Sequence, residues 1–137
     1  MPVIDASVAI KWFVEEPDSP AAHQLLDAHA TGESTLVAPD LLIYEVSNVL
    51  LRNRTFSVVE VQRSVERLYE LEVDLIAPTR EVITAAIDVA AANHLTFYDA
   101  LYVQLARHLA LLLYTADRKL ISKLRDFSFL RGLSPTP

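Results

Sequence analysis

Short apolar runs punctuate the chain at Val3-Ile4, Thr35 to Ala38, Val73 to Ala77 and Leu111 to Thr115, and longer mixed stretches separate them. Brief apolar runs alternating with amphipathic segments are the rhythm of strand and crossover helix, so the pattern predicts an α/β fold on a parallel sheet. Helices are expected near residues 6–14, 20–30, 41–53, 58–71, 80–92, 97–109 and 118–124. Several carry start signals: Ser19 before Pro20, Asp40 after Pro39, and the pairs Ser57 with Glu60 and Thr96 with Asp99, which fit capping boxes. The segment Phe127 to Leu133 fits a short edge strand, and Ser134-Pro135-Thr136-Pro137 should fray, which gives one domain over residues 1–133.

Composition narrows the class. A chain of 137 residues, 52% hydrophobic and with only two glycines, is suited to one packed, helix-rich domain rather than to disorder. The absence of cysteine excludes disulfides, thiolate metal sites and cysteine nucleophiles. The longest apolar run, Leu109 to Ala116, falls far short of the roughly 20 residues that span a bilayer. No basic leader stands at the N-terminus, so no membrane association and a cytoplasmic location are expected. A formal net charge of −6 opposes general attraction to nucleic acid, unless the acids are gathered where a divalent cation neutralises them.

Four carboxylates stand at the joints of the pattern: Asp5, Glu45, Asp99 and Asp117. Asp5 follows Val3-Ile4 and Asp117 follows the run ending at Thr115, so both should emerge at carboxyl ends of parallel strands, where open α/β sheets bind ligands. Asp99 falls in the first turn of its helix and Glu45 about one turn into its own, so all four could reach one edge. Unit charges about 4 Å apart repel by roughly 4 kcal/mol at an effective dielectric near 20, and a hard divalent cation relieves that. Oxygen-only ligands select Mg²⁺ or Mn²⁺ over zinc. Such an ion, with carboxylates and water around it, suits phosphodiester hydrolysis without a protein nucleophile. Plainer roles remain open: Asp99 as capping partner of Thr96, Asp117 as N-cap of the helix at Arg118. Asp5 and Glu45 sit in apolar company, where an unpaired carboxylate is costly.

The segments Val3-Ile4-Asp5-Ala6-Ser7-Val8, Tyr44-Glu45-Val46-Ser47-Asn48-Val49-Leu50, Thr96-Phe97-Tyr98-Asp99-Ala100-Leu101-Tyr102 and Tyr114-Thr115-Ala116-Asp117 resemble the four motifs of PIN domains, in order and spacing. The resemblance implies a PIN-like three-layer α/β/α sandwich with a parallel sheet of order 3-2-1-4-5 and about seven helices. It also implies that Asp5, Glu45 and Asp99 are catalytic metal ligands, directly or through water, with Asp117 a fourth acid. Ser7 and Thr115 match hydroxyl positions beside the carboxylates. Asn48, three residues after Glu45 on the same helix face, is a candidate for the cleft or a substrate phosphate. The compact length resembles free-standing VapC-like toxins, endoribonucleases acting on structured transfer or ribosomal RNA. That likeness implies a VapB-like antitoxin, which pushes a basic side chain into the acidic cleft, and a homodimer.

Other features carry less. Trp12-Phe13 suits an antitoxin groove or the core, with core favoured for at least one ring. Lys11, Arg52, Arg54, Lys119, Lys123 and Arg125 are candidate phosphate contacts, most of them expected to be merely solvated. The histidines show no metal-ligand spacing, and His94 reads as a helix end. A phosphoaccepting receiver-like module fits badly, because Asp5 stands alone after the first strand and Ala77-Pro78 follow the third. A catalytically silent binding module on the same fold is the other alternative, and four intact acids argue against it.

Overall fold

A computed structural model describes residues 1–133. Five parallel strands form one sheet in the order β3-β2-β1-β4-β5, where β1 is Val3–Ile4, β2 Val37–Pro39, β3 Asp74–Ile76, β4 Leu113–Thr115 and β5 Leu130–Gly132. Val3 pairs with Val37 on one side and Leu113 on the other, so β1 is central and the strand order reverses between β1 and β4. The expected sheet order and the edge strand near the C-terminus are both present. The expected fraying of Ser134 to Pro137 lies outside the described residues.

Seven helices connect the strands among the described residues: α1 Ala6–Ile10, α2 Ser19–Ala30, α3 Leu41–Arg52, α4 Val58–Glu70, α5 Arg80–Asn93, α6 Phe97–Leu109 and α7 Arg118–Lys123. The connections from β1 through β3 run one way along the sheet, and those from β3 through β5 run the other. Right-handed crossovers, the nearly universal hand, then put α1 to α4 on one face and α5 to α7 on the other. Helix α6 packs against β1, β2 and β4. That central position explains why Ala100 through Ala106 are buried without a break, polar Gln104 included.

One helix end, one helix start and one cap depart most from the sequence expectation. Helix α1 stops at Ile10 instead of running to residue 14, because the N–H groups of Lys11, Trp12 and Phe13 reach back only three residues, to Val8, Ala9 and Ile10. Ser19 lies inside α2 rather than capping it. Its hydroxyl accepts from the Glu16 N–H at 2.8 Å and donates to the Val14 carbonyl at 3.2 Å, fixing the loop before the helix. Asp40 precedes α3 but makes no side-chain cap bond.

Lys11 is buried and ion-paired with Asp18 at 2.7 Å and Glu16 at 3.1 Å, so it anchors that same loop and is not a free phosphate contact. Trp12 and Phe13 both pack against the core, and the Trp12 indole N–H donates to the Ala22 carbonyl. His29 joins three elements: its Nδ1 accepts from Leu36 N–H just before β2, so Nε2 carries the hydrogen and donates to the Leu71 carbonyl after α4. With glycine scarce, His94 and Ala110 take the left-handed caps that end α5 and α6.

Candidate active site

Asp5 leaves β1 and caps α1. Its Oδ1 accepts from Val8 N–H at 3.3 Å and from Ser7 Oγ at 2.5 Å, while Oδ2 accepts from Thr115 Oγ1 at 2.5 Å. The two hydroxyls are themselves held: Ser7 Oγ accepts from Ala116 N–H at 2.8 Å and Thr115 Oγ1 from Asp117 N–H at 3.0 Å. This network stitches the end of β1 to the end of β4 across the point where strand order reverses, the usual ligand edge of such sheets. Ser7 and Thr115 therefore orient Asp5, as hydroxyls beside a carboxylate are placed to do.

Burial dominates the Asp5 carboxyl. It lifts the pKa from 3.8 to about 6 even though Ser7, Thr115 and the Val8 N–H all favour the charged form, and the charge of Asp99 adds to the rise. Asp99 is itself raised, by burial first and then by Asp117, with the Thr96 hydroxyl and Lys123 pulling the other way. Glu45 is raised by burial and by Asp99, against an opposing Tyr102 hydroxyl. The four acids thus share one electrostatic neighbourhood, with Asp99 at its centre.

The expected capping roles divide. Ser57 and Glu60 form both bonds of a capping box, whereas Thr96 Oγ1 only accepts from the Asp99 N–H at 3.1 Å. The Asp99 carboxylate returns no bond to the Thr96 backbone, so it is not consumed by capping. Asp117 does cap α7, accepting from Lys119 and Leu120 N–H at 2.9 and 3.2 Å on Oδ1. Both bonds fall on one oxygen, leaving Oδ2 outside the cap. Asn48 is exposed and no hydrogen bond ties it to the acids.

Tyr102 was not singled out by the sequence reading, although it lies three residues after Asp99 and so shares its helix face. Its hydroxyl and Glu45 Oε1 are both buried without a hydrogen bond of ordinary geometry. They are close enough to affect each other's protons, and Tyr102 is pushed far above the usual phenol range by burial and then by the Glu45 charge. A buried carboxylate oxygen with no partner, among like charges, is costly.

The donor chemistry here is oxygen only, which fits a hard divalent cation. Among the described residues, no three acidic or imidazole side chains stand close enough together to hold an ion unaided. Mg²⁺ keeps several waters and takes one or two carboxylates directly, so such a site need not present three protein ligands at contact distance.

A family model described as PIN domain matches residues 3–126. Ribonuclease VapC3 from Pyrobaculum aerophilum is 33% identical over 125 residues, covering 88% of this chain and 92% of that protein. The crystal structure of PAE2754 from Pyrobaculum aerophilum superposes with a TM-score of 0.70 at 25% identity, over 96% of this chain and 87% of that one. A toxin-antitoxin complex from Klebsiella pneumoniae contains a chain of the same fold, with a TM-score of 0.74 at 15% identity over 99% of this chain and 100% of that one.

Proposed function

The chain belongs to the PIN-domain family, and on that premise we propose that it is a VapC-type ribonuclease whose acidic edge works with Mg²⁺ or Mn²⁺. What supports the reading is that Asp99 is coupled by charge to Asp5, to Glu45 and to Asp117, with Glu45 Oε1 buried and unpartnered. Asp5, Glu45 and Asp99 are the residues that would hold the cation, with Asp117 beside them. A bound divalent ion would supply charge compensation and an activated water for hydrolysis of a phosphodiester.

The protein's own groups do the rest. Ser7 and Thr115 fix both oxygens of Asp5, so that carboxylate meets a cation already oriented. Burial of Asp5, and half-burial of Glu45 and Asp99, leaves these carboxylates less well solvated than surface acids, which strengthens their hold on a cation. Asp117 couples the site to α7 through its cap bonds, leaving its second oxygen free toward ligands or water.

The substrate we propose is structured RNA of the transfer or ribosomal class, and the partner an antitoxin of VapB type that presents a basic group to the same acids. A toxin-antitoxin complex of the same fold supports that partner. A homodimer in the cytoplasm completes the reading, and among the described residues no helix is long and apolar enough to cross a membrane. The test is to incubate the purified, antitoxin-free chain with total RNA and Mg²⁺ or Mn²⁺. Cleavage that EDTA and Asp5→Asn both abolish is expected. Intact RNA across broad substrates overturns the enzyme reading and leaves a binding module.

A further inference from the structure

Tyr44 and Tyr98 are 63% and 55% exposed, whereas Tyr102 on the same helix as Tyr98 is 1% exposed. The core therefore takes a tyrosine where one fits, and these two are left out of it. Each is the residue directly before a site acid, Tyr44 before Glu45 in the first turn of α3 and Tyr98 before Asp99 in the first turn of α6. Two helices thus bring a solvent-facing phenol to the same sheet edge as the carboxylates. Tyr98 is also braced: the Phe97 ring, packed against the core, meets it edge to face at 6.1 Å and 73°.

Net charge decides what such rings are for. Nucleic-acid affinity usually comes from cations on phosphates, but this chain carries −6 and its buried Lys11 is already paired. Base stacking on an aromatic face does not depend on charge and contributes about 1–3 kcal/mol per base. Resting on the ribonuclease reading, we propose that Tyr44 and Tyr98 are stacking platforms for unpaired bases of the RNA at the sheet edge that carries the acids. The substrate segment is then single-stranded, a loop or bulge whose bases are free to splay onto the rings, and not duplex.

Fluorescence anisotropy with a labelled ten-nucleotide oligoadenylate in EDTA tests this apart from catalysis, alongside an abasic ribose-phosphate strand of equal length. Tyr44→Ala and Tyr98→Ala should each weaken oligoadenylate binding about tenfold, with Tyr→Phe and Tyr→Trp restoring it. The slope of log affinity against log salt should stay unchanged, and the abasic strand should not distinguish wild type from variants. Wild-type affinity in the Ala variants, or equal loss in the Phe variants, overturns the platform. So does a shift in oligomeric state by light scattering with RNA affinity intact, which would make these rings a protein contact. If the variants match a wild type that binds and cleaves RNA, the platform alone falls. If the wild type neither binds nor cleaves any RNA, with or without Mn²⁺, the ribonuclease reading falls with it.

Discussion

Asp5→Asn separates the two jobs of the most deeply buried acid of the site. Asparagine caps helices about as well as aspartate, so its Oδ1 keeps the Val8 N–H bond and α1 keeps its start. What disappears is the charge. A carboxyl whose pKa rises from 3.8 to about 6 on folding binds its proton more tightly folded than unfolded, so stability falls as pH climbs through that window. At about 1.4 kcal/mol per tenfold, the charged form costs the metal-free fold about 3 kcal/mol at neutral pH. Asn refunds only part of this, because its amide cannot accept the Thr115 hydroxyl that Oδ2 accepts. A net gain of about 1–2 kcal/mol is expected, or a Tm rise of about 3–6 °C for a chain of this size. Thermal melts in EDTA should show that gain at pH 7.5 and its loss near pH 4, where the wild-type carboxyl is protonated. Mn²⁺ should raise the wild-type Tm and leave the variant unmoved. If Asp5→Asn destabilises equally at both pH values, burial does not govern Asp5 and the electrostatic account of the site is wrong.

Asp99→Asn should leave the metal-free protein as stable or more stable at pH 7, since it removes charge next to Asp5, Glu45 and Asp117 while the Thr96 bond to the residue 99 backbone survives; a sharp Tm drop in EDTA would show a structural role instead. Thr115→Val removes the donor to Asp5 and the acceptor of Asp117 N–H in a fully buried place, so chemical denaturation should show a loss of about 1–3 kcal/mol and the lower limb of the pH–rate profile should move to higher pH. Lys11→Ala should cost about 1–3 kcal/mol in the same assay with RNA affinity unchanged, because its charge is committed to Asp18 and Glu16. Ala110→Gly, which relieves a φ of 55°, should raise stability by about 1 kcal/mol in a denaturant melt.

The fold was legible because apolar runs and capping signals mark nearly every element, and α6 was read to the residue from Thr96 and its apolar face. β1 matches its apolar run, whereas the runs that mark the other four strands are longer than the strands themselves. Apolar flanks such as Leu36 and Val73 are buried but lie outside the strands, and hydrophobicity alone cannot tell these apart. The end of α1 was misplaced because Lys11 looks like a solvent-facing helix residue. Its burial depends on Glu16 and Asp18, which a loop not encoded in any periodicity folds back onto it.

Within the site, the acids were visible as charges at the ends of apolar runs, but their partners were only partly so. Ser7 and Thr115 were found through motif positions; the Ser7 bond to Asp5 is local, but the Thr115 bond to Asp5 Oδ2 depends on β1 and β4 being neighbours, since the two residues lie 110 apart in sequence. Tyr102 escaped notice since it reads as one more apolar residue on the buried face of α6. A search for hydroxyl-bearing residues one turn from each acid would have found it. The exposed pair Tyr44 and Tyr98 likewise differ from Tyr102 only in burial, which sequence does not state.

Crystals soaked in Mn²⁺, with anomalous scattering measured at the manganese edge, test the central claim most directly. The account predicts an anomalous peak among the carboxylates of Asp5, Glu45 and Asp99, absent in Asp5→Asn crystals. A wild-type map with no peak there at millimolar Mn²⁺, or one whose peak persists unchanged in Asp5→Asn, would contradict it.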